Sequence, residues 1–228
     1  MSPDARGLIC LFAKHPIPGC VKTRLARHLG ADRAADLARA FLDDTIAALR
    51  QLGRPFVVAL DGPGAGDIAR GERVVLQGEG DLGVRMTRVM RELLCDTHYV
   101  IALGADTPGL PLPFIETAAA LLDAPSGPDF VVGPTSDGGF YLLGVRALAP
   151  TSFDGVRWST AHARTDVEQR FRAQGLRQQL LPAWFDVDEV ADLARLMEQL
   201  EHDPSLFAPA TRRALGLTPT QRSEAESA

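Results

Sequence analysis

Leu8-Ile9-Cys10-Leu11-Phe12-Ala13, followed at once by Lys14-His15-Pro16-Ile17-Pro18-Gly19-Cys20-Val21-Lys22-Thr23-Arg24-Leu25, is the stretch on which the fold turns. The first six residues are apolar on both alternating faces, as in a strand covered by helices on both sides. Two prolines and a glycine then shape a loop with Lys14, Lys22 and Arg24 at its ends, and a helix is expected from near Val21. Apolar residues recur at Ala34, Leu37, Ala38, Phe41, Ile46 and Leu49, which predicts a helix over 31–52 closed by Gly53.

The alternation continues along the chain. Strand patterns at 56–60, 74–77 and 98–103 are followed by a Gly/Pro loop through Gly66, a helix over about 81–95 and a helix over 113–122, the last punctuated by Pro111 and Pro113. Such strand–helix alternation implies a mainly parallel sheet sandwiched by helices. The apolar runs 130–132 and 140–143 flank a Gly-rich turn and add strands of either direction, so the sheet is expected to be mixed. Helices over 163–174 and 190–201 are the last ones read, the second with Val190, Leu193, Met197 and Leu200 on one face.

A chain of 228 residues buries a full core as one domain, which we place at 1–216, with 217–228 as a frayed tail that has little to bury. No apolar run is long enough to span a bilayer and the start lacks a signal-peptide pattern, so no membrane association is expected and the cytoplasm is the expected location. Cys10, Cys20 and Cys95 form neither a paired framework nor a metal clamp, which fits reduced thiols, with Cys10 in the core. A formal charge of −5 argues against general nucleic-acid binding, which needs a basic surface.

In an open parallel sheet, ligands collect beyond the carboxyl ends of the strands, so residues placed there carry the functional reading. The basic loop, with Lys14, Gly19, Lys22, Thr23 and Arg24, suits a di- or triphosphate at a helix start, although the Walker A spacing is absent. Asp106, in Gly104-Ala105-Asp106-Thr107-Pro108-Gly109, stands immediately after a buried strand and is the first-choice ligand for a hard metal; the alternative is an Asp that caps the following turn. Asp186 and Asp188 point the same way if Trp184-Phe185-Asp186-Val187-Asp188-Glu189 is extended, and one metal then joins them to Asp106. Asp188 as the N-cap of the last helix is the competing role.

Asp137-Gly138-Gly139 shapes the acceptor side, with Asp137 orienting a hydroxyl or amine, or else is simply a hairpin turn. Gly80 and Asp81 with Arg85 contact base or ribose, or else form a helix cap. Trp158 and Ser159 close over the acceptor, or the ring is a packing plug. Lys22, Asp106 and Asp137 are the residues assigned to catalysis.

Taken together, these segments resemble the family called "transferase 1, radical SAM/selenodomain-associated" (DUF2064), within the GT-A nucleotide-diphospho-sugar transferase superfamily. The resemblance runs from about Leu8 to Leu196. It rests on Phe12-Ala13-Lys14 with Pro18-Gly19 and Lys22-Thr23-Arg24-Leu25; Gln77 with Gly80-Asp81-Leu82-Gly83 and Arg85-Met86; Gly104 with Asp106 and Pro108; Gly133-Pro134 with Asp137-Gly138-Gly139 and Tyr141-Leu142-Leu143-Gly144; Trp158-Ser159-Thr160; and Asp186-Val187-Asp188 with Asp192-Leu193. Val84 and Glu189 depart from the pattern, which more often has Glu and Thr there, and Glu189 leaves open which of the three neighbouring carboxylates ligates.

The resemblance implies a GT-A three-layer α/β sandwich, a Mg²⁺ or Mn²⁺ ion on Asp106 and on Asp186 or Asp188, and a nucleotide over the first strand. It also implies transfer of a group from a nucleotide sugar or an NTP to a small-molecule acceptor. Glycosyl transfer is favoured, and nucleotidyl transfer with release of pyrophosphate is the alternative. A third reading, a non-catalytic nucleotide-binding or partner-binding protein, would be favoured if Asp106, Asp186 and Asp188 failed to converge within metal-ligand distance.

Overall fold

The computed structural model describes residues 7–62 and 68–217. Seven strands form one sheet: β1 (Gly7–Lys14), β2 (Phe56–Asp61), β3 (Val74–Leu76), β4 (Tyr99–Gly104), β5 (Phe130–Pro134), β6 (Phe140–Val145) and β7 (Gln178–Leu180), in the order β3-β2-β1-β4-β6-β5-β7. All neighbouring pairs are parallel except those made by β6, which runs antiparallel to both β4 and β5. The sheet is therefore mixed and mostly parallel, as the alternation implies.

Seven helices are described: α1 (Thr23–Leu29), α2 (Ala31–Leu52), α3 (Leu82–Leu94), α4 (Leu112–Asp123), α5 (Ala163–Ala173), α6 (Val190–His202) and α7 (Pro209–Leu215). Alternate residues of the buried strands feed two cores. Ile9 and Leu11 of β1 pack with Leu42, Ile46 and Leu49 of α2 and Ile115, Ala118 and Leu122 of α4. Leu8 and Cys10 pack the opposite way, with Met86, Val89 and Met90 of α3 and Val167 and Phe171 of α5. This is the period of two read at a sheet covered on both faces, giving three layers. A third apolar cluster joins Leu25 of α1, Leu37 and Phe41 of α2, Phe185, Val187, and Leu193, Leu196 and Leu200 of α6.

Three expectations change. The helix expected from near Val21 is a separate short element, α1, that ends at Gly30, where φ is 85°. The last helix is α7, not the one over 190–201; its two amides at Ala210 and Thr211 donate to the buried Asp44 carboxylate at 2.7 and 2.8 Å, a polar anchor that adds to the packing of Ala214 and Leu215 on the third cluster. In α6 the buried face is Leu193, Leu196 and Leu200, while Val190 at the first turn is exposed. The loop through Gly66 and residues 218–228 of the expected tail lie outside the described residues; Leu217, placed with that tail, packs on the third cluster. Among the described residues no helix is long and apolar enough to cross a membrane.

Candidate nucleotide and metal site

β1 and β4 lie side by side at the centre of the sheet. The chain leaves β1 for the helices α1 and α2 and leaves β4 for α4; α2 and α4 cover one face of the sheet. The loop after β1 turns at Ile17–Cys20, where the Cys20 amide donates to the Ile17 carbonyl at 3.0 Å and Gly19 has φ of 80°. Val21 is buried and anchors the loop's end. Lys22 then takes a left-handed backbone conformation, φ 46° and ψ 44°, at the N-cap of α1, which costs a non-glycine residue about 1 kcal/mol or more.

The Lys22 side chain runs inward and is only 4 % exposed. Its ammonium donates to Asp106 at 2.6 Å and to Asp188 at 2.9 Å, and stands 5.8 Å from the centre of the Phe41 ring. Burial pushes the lysine pKa down, but the two carboxylates outweigh it and the net shift is upward. Lys22 is therefore held as a cation.

The two carboxylates arrive from distant parts of the chain. Asp106 follows β4 by two residues, and its backbone carbonyl accepts from the Val187 amide at 3.0 Å, which stitches the β4 loop to the segment before α6. That segment extends the sheet beyond β7 through a parallel bridge between Thr135 and Trp184. Phe185 and Val187 face the third cluster at 1 % and 0 % exposure. Asp186 and Asp188 alternate with them, as an extended segment requires.

Asp188 is not the N-cap of α6. Glu189 holds that position, and Asp192 accepts from the amides of Asp188 and Glu189 at 3.1 and 2.8 Å. With Glu189 at the N-cap, the Asp188 carboxylate is left to meet Lys22. Glu189 instead pairs with Arg24 at 3.1 Å on the exposed flank. Asp186 makes no ion pair with Lys22; burial first, then the neighbouring charges of Asp137 and Asp188, raise its carboxyl to about 6, with Lys22 pulling the other way.

Among the described residues no three His, Cys, Asp or Glu side chains come close enough to share a metal ion. Two of the three expected carboxylates, Asp106 and Asp188, converge on one point, and an ammonium stands there. Both side chains are partly open to solvent, 59 % exposed for Asp106 and 44 % for Asp188, and a pair of carboxylates is what Mg²⁺ takes from protein when substrate phosphates supply the remaining ligands. The donor set therefore fits such an ion.

The remaining candidates surround this point or stand apart from it. Lys14 is exposed at the end of β1, and Thr23 is exposed at the first position of α1. Asp137 Oδ1 accepts from Thr135 Oγ1 at 2.5 Å and from the Gly139 amide at 2.9 Å, so the carboxylate shapes its own turn. Gly138 has φ of 92°, and a Cβ there would lie 2.2 Å from the Ala161 carbonyl oxygen, so the turn is pressed against the segment that carries Trp158 and Ser159. Trp158 packs edge-on against Phe140 and Phe153, a plug under the turn. Ser159 has φ of 58°.

Asp81 caps α3 by accepting from the Val84 amide at 2.9 Å, and Arg85 donates to the Gly80 carbonyl at 2.7 Å. Arg85 also pairs with Asp61 at 2.6 Å. Asp61 was not among the candidates, although it ends a buried strand just as Asp106 follows one. The buried Gln77 amide donates to the carbonyls of Ala13 and Ala59 at 3.1 and 2.8 Å and pins the carboxyl ends of β1 and β2.

The comparisons with known proteins agree with this architecture. A family model described as "Uncharacterized protein conserved in bacteria (DUF2064)" matches residues 45–160. A crystal structure from Desulfovibrio desulfuricans G20, provisionally named a nucleotide-diphospho-sugar transferase, is 30% identical with a TM-score of 0.84, covering 93% of this chain and 94% of that one. Two further structures share the fold alone. CMP:2-keto-3-deoxy-manno-octonic acid synthetase complexed with CTP has a TM-score of 0.56 at 15% identity, covering 86% of this chain and 99% of that one. The inositol-1-phosphate CTP transferase from T. maritima has a TM-score of 0.55 at 13% identity, covering 86% and 95%. No curated protein matches the chain in sequence. With half of its length matched by the family model and nearly all of it aligned to a relative at 30% identity, the chain belongs to the DUF2064 family and has a nucleotide-diphospho-sugar transferase-like fold.

Proposed function

We propose that the chain is a metal-dependent transferase acting on a nucleotide-activated substrate, with glycosyl transfer from a nucleotide sugar as its reaction. The observation that carries this reading is the meeting of Lys22, Asp106 and Asp188 beyond the carboxyl ends of β1 and β4. The name of the D. desulfuricans relative supports it. Asp106 and Asp188 would hold Mg²⁺ or Mn²⁺, which when bound supplies positive charge to a departing phosphate.

The chain's own residues do the rest. Lys22 is a buried, permanently charged donor within reach of the same point, and Arg24 and Lys14 extend positive charge along the loop, so the loop orients and neutralises the diphosphate. Asp81 and Arg85 stand at the mouth of β2 and β3 on the nucleoside side. The turn of Asp137, Gly138 and Gly139, with Asp186 beside it, faces the acceptor, and Asp186, whose carboxyl is raised by burial and by the neighbouring charges of Asp137 and Asp188, is the candidate to take a proton from an acceptor hydroxyl.

Nucleotidyl transfer is the second reading, favoured by one feature: Asp106 is a lone carboxylate preceded by Ala105 and Gly104, in a site whose loop cations suit a triphosphate. A thermal-shift panel of nucleotide sugars and nucleoside triphosphates, each with and without Mn²⁺, separates the two. A ligand at 100 times its dissociation constant adds about 2.7 kcal/mol, a shift on the order of 5–10 °C at this size. Stabilisation by sugars with Mn²⁺ is the expected result; response to triphosphates alone would overturn glycosyl transfer.

A further inference from the structure

Lys14 and Lys22 are the two lysines of the chain, against 22 arginines. Both belong to the β1 segment and its loop, and one of them is the side chain wedged between Asp106 and Asp188. An ammonium is a compact point charge, whereas a guanidinium is a planar fork that needs flanking space. A position between two carboxylates, 2.6 Å from one and 2.9 Å from the other, is the geometry of a small cation rather than of a fork. The conformation that delivers it is strained, since Lys22 has positive φ without being glycine. The segment before it, from Ile17 to Cys20, is exposed, so the loop can change path about its buried anchor at Val21.

From this we propose that Lys22 is a built-in surrogate for the divalent cation: in the metal-free protein it clamps the β4 loop to the α6 segment, and the arriving ion displaces it toward the substrate phosphates. The inference rests on the metal-dependent reading above and adds a coupling to it. Two carboxylates that approach one point repel each other, and a cation between them relieves that repulsion while both stay ionised, so Asp106 and Asp188 favour a cation there at every stage. The ammonium supplies it before the ion binds. The ion supplies it afterwards, and the released ammonium is then free to pair with phosphate. Loop position and metal occupancy are thereby linked, and metal alone binds less tightly than it would to the two carboxylates without Lys22.

The test reads lysine accessibility and metal affinity rather than turnover. The full chain is pulse-labelled with acetic anhydride, with and without Mn²⁺ and without nucleotide, and each lysine is quantified by mass spectrometry with the exposed Lys14 as the internal reference. Mn²⁺ binding to the wild-type chain and to Lys22→Met is followed by electron paramagnetic resonance. The expected result is that Mn²⁺ raises Lys22 labelling about tenfold relative to Lys14 and that Lys22→Met binds Mn²⁺ about tenfold tighter than wild type. Mn²⁺ binding with Lys22 still protected and the variant no tighter would overturn the displacement while leaving the metal reading intact. Binding to neither protein overturns both. If Lys22→Met fails to fold, wild-type labelling up to millimolar Mn²⁺ decides in either direction.

Discussion

Lys22 is the side chain from which the site is organised, and the residues around it differ sharply in what a substitution costs. Asp106→Asn keeps the shape and removes one charge; metal-dependent turnover should fall about 100-fold or more while the melting temperature changes little, measured by steady-state assay beside calorimetry. Undiminished turnover would remove Asp106 from the site. Gly138→Ala acts through the fold instead. Positive φ and a Cβ 2.2 Å from the Ala161 carbonyl oxygen force the turn away from its neighbour, and a loss of about 2–4 kcal/mol in urea denaturation is expected. At this scale the sequence was informative about position but not about partners. Asp106 was legible because it follows a buried strand. That Lys22 faces it was not, because the two are joined only once β1 and β4 lie side by side. Asp188 looked equally suited to capping a helix, and what excludes that role is Glu189, which occupies the N-cap position of α6 while the Asp188 carboxylate is engaged by Lys22.

Elements whose signal lies in apolar periodicity were readable, and those held by polar anchors were not. The helix α2 ends where its stripe ends, at Gly53, and α3 starts where Asp81 caps it. Asp81→Ala should lower stability by about 1 kcal/mol, or about 2–4 °C in melting temperature; an unchanged melting temperature would mean the cap is redundant. The edge strand β7 carries two glutamines in three residues and shows no alternation to detect. It is positioned by a polar knot at its start. The Asp129 and Phe130 amides donate to the Arg177 carbonyl, the Arg177 amide donates to Asp129 at 2.8 Å, and the guanidinium adds an ion pair at 3.2 Å. The Arg177 backbone amide, then its guanidinium, hold the Asp129 carboxyl below its usual value. A depressed carboxyl contributes stability that is fully present above its unfolded pKa, near 4, and lost as pH falls through the lower folded value. Wild type should therefore melt above Asp129→Asn at pH 7, with the gap closing as pH falls below the ordinary aspartate range and through the lower folded value. A pH-independent gap would show that the charge is irrelevant to the knot.

For the molecule as a whole, a strand buried on both faces was the most legible feature, and it sits at the centre of the sheet with both cores resting on it. Cys10 of β1 is fully buried, and burial pushes its thiol pKa far up, whereas Cys20 and Cys95 are exposed. A colorimetric thiol reagent should titrate two cysteines promptly in the native protein and the third only on global unfolding; rapid reaction of all three would show that the centre of the sheet opens locally. The direction of β6 was legible only in its connection, because antiparallel and parallel strands share the same apolar run but the short Gly-rich turn from β5 leaves no room for a parallel crossover. The Val187-to-Asp106 hydrogen bond, described above as a stitch between two loops, also sets a schedule for biosynthesis. Asp106 leaves the ribosome well before Val187 and Asp188, an interval of roughly 4–16 s at ordinary elongation rates. Throughout it the nascent chain carries Lys22 and one carboxylate but neither the second carboxylate nor the amide that fastens the β4 loop, so the bridged ion pair of Lys22, Asp106 and Asp188 closes only after the last strand of the sheet has been made.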